Sequence, residues 1–255
     1  MCARCLSHAG SGARCRGGGP APSVGRLPGP ALRRRAEREP EGRLGEPYDC
    51  DFAGLDRRAR AVAAELGRLL PPGSRVLLAY RQGADLAGAF YGCLYAGMTA
   101  VPLVGGGRAG AGPVAEAVER CRPAVVLTGG DAWTPLAVDR SHMRVVEADG
   151  LRVGGRPVEQ TAQEWRPVGV LRTVPAYERF VAGGPAGGRV EPVLRHGDLA
   201  GAVGELAAAA RQGTPEEGLG WIAAVHGLED AVWRMLLPVQ DDALRQVGPP
   251  RPGLG

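Results

Sequence analysis

"SRVLLAYRQGADLAGAFYGCLYAGMTAVPLV", residues Ser74 to Val104, reads as strand, helix and strand in immediate succession. Ser74–Tyr80 is a short apolar run with turn signals on both sides, the pattern of a strand buried on both faces. Gly83–Gly97 is apolar almost all round, which predicts a buried helix. Thr99–Val104 then returns to a strand-like run. Such a unit places its two strands parallel, with the helix crossing over one face of the sheet. Ala87–Val104 carries no charge and approaches the length of a membrane span. Its Ala, Gly and Tyr content and the break at Pro102 suit helix, turn and strand better, so no membrane span is expected.

Working outward, Ala31–Arg38 is expected as a short helix. A longer amphipathic one follows, with Asp49 or Asp51 as its cap and Phe52, Leu55, Ala59, Val62, Leu66 and Leu70 at helical spacing. It ends at Pro71-Pro72-Gly73. Beyond Val104 the pattern predicts a helix over 112–121 and strands over 123–129 and 143–148. Gly150–Gln163 reads as loop. A second set follows: strand Arg179–Ala182, a glycine loop, strand Val190–Leu194, helix Gly197–Arg211, strand Gly220–Val225 and helix Glu229–Leu237. Strands alternating with helices at this spacing predict an α/β fold with a parallel, doubly wound sheet. No internal repeat is visible.

The 255 residues are 44% hydrophobic, enough for a sizeable core. Gly (41) and Pro (22) make about a quarter of the chain and concentrate at its ends. Residues 1–26 are therefore expected as a disordered Gly/Pro/Arg-rich arm, 27–239 as the folded part and 240–255 as a disordered tail. The net charge of +4 rests entirely on arginine, since the 31 basic residues include no lysine, and asparagine is absent too. With abundant Ala, Gly and Pro this is the signature of a GC-rich genome rather than of a nucleic-acid surface. The arginines of Leu55–Leu70 and the run Arg33-Arg34-Arg35 read as solvated faces, and no nucleic-acid partner is expected. No apolar secretory core is visible at the N-terminus, which points to the cytoplasm.

Of the six cysteines, Cys2 and Cys5 have the spacing that opens a zinc site, with Cys15 and His8 nearby. No second close pair follows, so the alternative is unpaired thiols. Cys93 and Cys121 fall in apolar periodic segments and read as small core residues. The histidines His8, His142, His196 and His226 have no metal-ligand spacing, and no serine sits in a nucleophile elbow. Glu216-Glu217 and Asp241-Asp242 read as solvated acids.

"FVAGGPAGGRVEPVLRHGDL", Phe180–Leu199, has the outline of a phosphate cradle: an apolar strand, two glycine pairs, a strand and a helix. Glycines let backbone N–H groups converge on an anion, while hydroxyls and a lysine supply directed donors and charge. Here only the glycines remain. The stretch is either a plain turn or a cradle whose chemistry has been removed.

Three stretches together resemble the opening of the adenylate-forming superfamily, and within it the fatty acyl-AMP ligases: "FAGLDRRARAVAAEL", "SRVLLAY" and "AFYGCLYAGMTAVPL". "RPAVVLTG" resembles the strand that follows them. The resemblance covers roughly Leu27 to Val239 and implies part of the large N-terminal domain of that family. There a loop of the form Thr-Ser-Gly-Ser-Thr-Gly-x-Pro-Lys-Gly precedes a strand and a Thr-His helix start. With His196 on the family histidine, Ala182, Gly183, Pro185 and Ala186 take the four hydroxyl positions. Gly184 and Gly187 keep the inner glycines, and Gly188 takes the variable place. Arg189, Val190 and Glu191 replace Pro-Lys-Gly, and Arg195 replaces the threonine. The resemblance thus implies a vestigial nucleotide site of Gly184, Gly187, Arg189 and His196, with no catalytic residue and no metal ligand.

"GWIAAVHGLEDAVWRMLLP" resembles the family's tryptophan strand and following histidine, which border the acyl and adenylate pocket; Trp221 and His226 match, while Gly227–Asp230 do not. The adenine-contacting segment, the ribose aspartate and the small domain with the catalytic lysine are expected to lie outside this sequence. ATP and magnesium are implied by the resemblance alone. The expected function is that of a truncated, inactive relative. The alternative is a non-catalytic acyl- or adenylate-binding or interaction module, whose partners would be a complete ligase, an acyl-carrier protein or a second copy.

Overall fold

The computed structural model describes residues 27–103, 111–129, 143–181, 188–191 and 194–240. Helix α1 (Pro28–Arg38) is followed by an antiparallel ribbon of β1 (Arg43–Leu44) and β2 (Cys50–Asp51). Helix α2 (Phe52–Leu69) begins where Asp51, of the two candidate caps, accepts a hydrogen bond from the Gly54 N–H. Then come β3 (Arg75–Ala79), α3 (Ala84–Ala96), β4 (Thr99–Pro102), α4 (Ala111–Cys121), β5 (Val125–Thr128) and β6 (Val145–Glu147). Each of these matches its expected element to within a few residues.

Residues 150–163, expected as loop, instead hold a hairpin of β7 (Arg152–Val153) and β8 (Arg156–Pro157) and most of helix α5 (Val158–Glu164). Seven residues are too few for a periodic pattern to declare itself. Even so, Val158, Thr161 and Ala162 stand at i, i+3 and i+4, are all buried, and face α2. The chain continues with β9 (Pro175–Tyr177), a strand without a sequence signal of its own. It ends through β10 (Phe180–Val181), β11 (Arg189–Val190), β12 (Leu194–Arg195), α6 (His196–Arg211), α7 (Glu216–Val225) and α8 (Asp230–Gln240). The strand expected over Val190–Leu194 is split between β11 and β12.

Gly220–Val225, expected as a strand, is the second half of α7. An uncharged run of this kind fits a buried strand or a helix segment equally, and length decides between them. Continuous with Glu216 and Glu217, it reaches 10 residues. Pro215 stands before it, and Gly227 in the left-handed region (φ 74°) closes it after His226.

The main sheet has the order β12-β9-β4-β3-β5-β6. β9, β4, β3, β5 and β6 run parallel, and β12 is antiparallel at the edge. Side chains alternate across it. Val76 and Leu78 of β3 enter the larger core with α2 and α3, while Leu77 and Ala79 enter a smaller core with Val114, Ala117 and Cys121 of α4. The sheet is therefore covered on both faces, as a doubly wound α/β fold requires.

α2 and α3 meet at Gly92, where a Cβ would stand 2.5 Å from Val62 Cβ and Cγ1. The arginines of α2, expected as a solvated face, also tie elements together. Arg58 Nη1 lies 3.1 Å from Asp85 of α3, and Arg57 Nε lies 4.0 Å from Glu159 of α5. Each such exposed pair contributes at most about 1 kcal/mol. Cys93 and Cys121 are fully buried, unpaired core residues, as expected. Among the described residues no helix is long and apolar enough to cross a membrane.

Candidate functional site

In open parallel sheets, ligands sit beyond the carboxyl ends of the strands. At that end of β9 the chain turns into the β10/β11 hairpin, in register Phe180↔Val190 and Val181↔Arg189, and the glycine stretch is its connection. Gly184 and Gly187 lie outside the described residues. Gly188 is described, and its surroundings admit no side chain: a Cβ would stand 2.5 Å from Phe180 Cζ and 3.0 Å from Glu116 Oε1. The Gly188 N–H donates to that same Glu116 carboxylate, from α4. A backbone donor at the base of the cradle is thus already held by an anion of the protein.

Arg189, the cation nearest the loop, is held in the same way. Its Nε donates to Glu191 Oε1 at 3.0 Å, and Arg179 Nη2 lies 3.4 Å from the same oxygen. The two arginines, the hydrogen bond from Arg189 first, hold the Glu191 carboxyl below its ordinary range. The loop's positive charge is therefore compensated from within.

His196 opens α6. Its own N–H donates to Val174 O at 2.9 Å and that of Gly197 to Arg172 O at 2.7 Å. Two of the helix's unpaired N-terminal donors are thus satisfied by the preceding turn rather than left for an anion. The Arg195 N–H donates to Asp198 Oδ2 at 3.2 Å, but an arginine at the cap position has no side-chain acceptor to return the bond. The His196 ring is 1% exposed, and its Nε2 has no hydrogen-bond partner among the described residues. Burial pushes its pKa down to about 4, so the ring is neutral.

The other two sequence-derived residues are placed differently. Trp221, on the outer face of α7, is 71% exposed. His226, just after α7, has its Nε2 2.9 Å from Glu205 Oε2 of α6.

The contact between Tyr177 and Glu229 had no motif in the sequence. Tyr177 of β9 donates to Glu229 Oε2 at 3.0 Å, and burial pushes the Glu229 carboxyl up to about 7. Phe90 packs against Tyr177, ring centres 6.1 Å apart, and Arg179 moderates the shift. The only sequence signal was a glutamate just before a helix that also carries Asp230 and Arg234.

Glu229 and His196 give opposed pH dependences. The fold favours protonated Glu229, so that contribution is complete below pH 4.5 and is lost as pH rises through 7. It also favours neutral His196, whose contribution is complete above pH 6.5 and is lost as pH falls through 4. Each amounts to about 3 kcal/mol, and between pH 4.5 and 6.5 their opposite slopes cancel, so the sum stays flat. Glu229→Gln removes one of the pair and keeps an acceptor for Tyr177. Relative to the parent it should gain about 3 kcal/mol in urea unfolding between pH 5 and pH 8. An offset that does not change with pH would refute the assignment.

No group of three or more His, Cys, Asp or Glu among the described residues has metal-binding geometry. The donors in view suit neither a triphosphate nor its magnesium. A carboxylate occupies the cradle's described N–H, its cation is paired, and no hydroxyl or lysine stands in the loop sequence.

No protein-family profile matches the chain. A long-chain-fatty-acid–AMP ligase of Mycolicibacterium smegmatis is 29% identical over 197 residues, 73% of this chain and 30% of that ligase. A medium-chain-fatty-acid acyl-carrier-protein ligase of Moorena producens is 48% identical over 57 residues, covering 22% of this chain and 10% of its own. Among solved structures, the fatty acyl-adenylate ligase of L. pneumophila, in complex with acyl adenylate and pyrophosphate, superposes with a TM-score of 0.57. Its identity is 23%, over 72% of this chain and 32% of the ligase. The chain thus spans about a third or less of these relatives. Sequence relatives and fold neighbours converge on one group: this chain is a relative of the fatty acyl-AMP ligases, within the adenylate-forming enzymes, and corresponds to part of their length.

Proposed function

We propose that this chain is a non-catalytic relative of the fatty acyl-AMP ligases, of cytoplasmic location, whose glycine loop has exchanged nucleotide contacts for internal ones. In the family reaction a fatty carboxylate attacks the α-phosphorus of ATP and pyrophosphate departs. That step needs donors aimed at the phosphates and positive charge to stabilise them. The observation that carries the reading is the Glu116 carboxylate on the Gly188 N–H. It puts negative charge where the cradle would receive a phosphate, and the Arg189–Glu191 pair adds a second carboxylate beside it. The test is pyrophosphate release from ATP with a series of fatty acids of different length. No release above the rate without protein is expected, and fatty-acid-dependent release would overturn the proposal.

A second reading, residual binding of an acyl or adenylate group, is favoured by His196. A buried ring nitrogen without a partner is costly, about 1–3 kcal/mol, unless something fills it. An acyl-adenylate analogue at a hundred times its Kd would add about 2.7 kcal/mol and raise Tm by roughly 5–10 °C. That shift should be smaller in His196→Ala. No shift in the parent removes this reading without touching the first, and an equal shift in both proteins keeps the binding but removes His196 as its contact.

A further inference from the structure

α7 carries the sequence of a covered helix on an uncovered surface. Between Glu217 and His226 no residue is charged, and a helix apolar on all sides is normally packed on all sides. Leu219 and Ala223 face the core, but Trp221 is 71% exposed and Val225, one turn on, is 65% exposed. Acids flank this ridge. Glu217 stands one turn before Trp221, Glu205 meets His226 at its far end, and Glu216 and Asp230 share Arg234 beside it.

The chain finishes its other described tryptophans with arginine. The Arg33 guanidinium stands 5.7 Å from the Trp165 ring centre, and that of Arg234 stands 4.7 Å from Trp233. Trp221 has no such cation among the described residues. The missing chemistry is an arginine-bearing segment without acids, able to stack on the indole and meet the carboxylates together.

Residues 1–26 have that composition: Arg4, Arg14, Arg16 and Arg26, and no Asp or Glu. Reach is not limiting, since such a length of chain can span up to about 85 Å. α1, which the segment enters, packs on α6 and α8, the same helices that carry α7. We propose that residues 1–26 dock on the outer face of α7, with an arginine over Trp221 and others toward Glu217 and Glu205. A second copy of α7 would bring like-charged rims together, and an anionic membrane would meet the same repulsion.

The full chain with p-benzoylphenylalanine replacing Trp221 identifies the occupant directly by photo-cross-linking and peptide mapping. The expected product joins position 221 to residues 1–26 of the same molecule. Its yield should fall about tenfold when all four arginines become glutamine, or in about 0.5 M salt. These four positions lie outside the packed elements described above. Cross-links between differently labelled molecules would assign the face to a second copy. Products at another segment, or none involving 1–26, would also overturn the proposal.

Discussion

Arg75→Met should destabilise the fold by about 3 kcal/mol, although Arg75 itself is nearly half exposed. The reason lies in its partner. Glu178, directly after β9, is 3% exposed on the α4 side of the sheet, with Arg75 Nε 2.7 Å from its Oε2. Arg75 Nη2 donates to Glu178 Oε1 at 3.1 Å, and Nη1 donates to Cys121 O at 3.3 Å. Methionine keeps the stem and removes the charge, which leaves a carboxylate in an apolar layer with nothing to compensate it. The reciprocal change, Glu178→Gln, should cost only about 1 kcal/mol, because the guanidinium can turn into water. Urea unfolding of both variants checks the asymmetry. Equal losses would mean that Glu178 is not dependent on Arg75.

Gly92→Val should cost a comparable amount, about 3 kcal/mol, at the upper end of what overpacking does. Glycine in mid-helix is ordinarily a weakness, and replacing it ordinarily helps. Here α2 approaches so closely that a Cβ would meet Val62 at 2.5 Å and the Ala59 carbonyl oxygen at 3.2 Å. Backbone cannot yield as a side-chain tip can, so the helices must separate along their contact. Val62→Ala in the same chain should recover only part of the loss, because it removes Cγ1 but leaves a Cβ at the same 2.5 Å. A Gly92→Val protein as stable as the parent would contradict the close crossing.

The β3–α3–β4 unit and α2 were legible because apolar runs, period and punctuation agreed there. Pro71-Pro72-Gly73 ends α2, and Gly97 with φ 67° ends α3. Where they did not agree, geometry decided. β9 is three residues long and exists through its neighbours β4 and β12. Gly220–Val225 is ambiguous by periodicity and resolves through its flanks.

The candidate site was legible only in part, because its decisive groups are paired across long separations. Glu116 meets Gly188 over 72 positions, Glu178 meets Arg75 over 103, and Glu229 meets Tyr177 over 52. None of these acids carries a local motif. Arg189 beside Glu191 was legible because neighbours two apart on a strand share a face. Trp221 and His226 came from resemblance alone. Folding then set one on an exposed helix face and the other against Glu205.

The most direct measurement is a calorimetric titration of the full chain with ATP in the presence of magnesium. No saturable heat is expected up to about 1 mM, because the described donors of the loop are held by Glu116 and Glu191. Saturable binding with a micromolar Kd, weakened by His196→Ala, would mean that the loop still holds a nucleotide and would contradict the central claim.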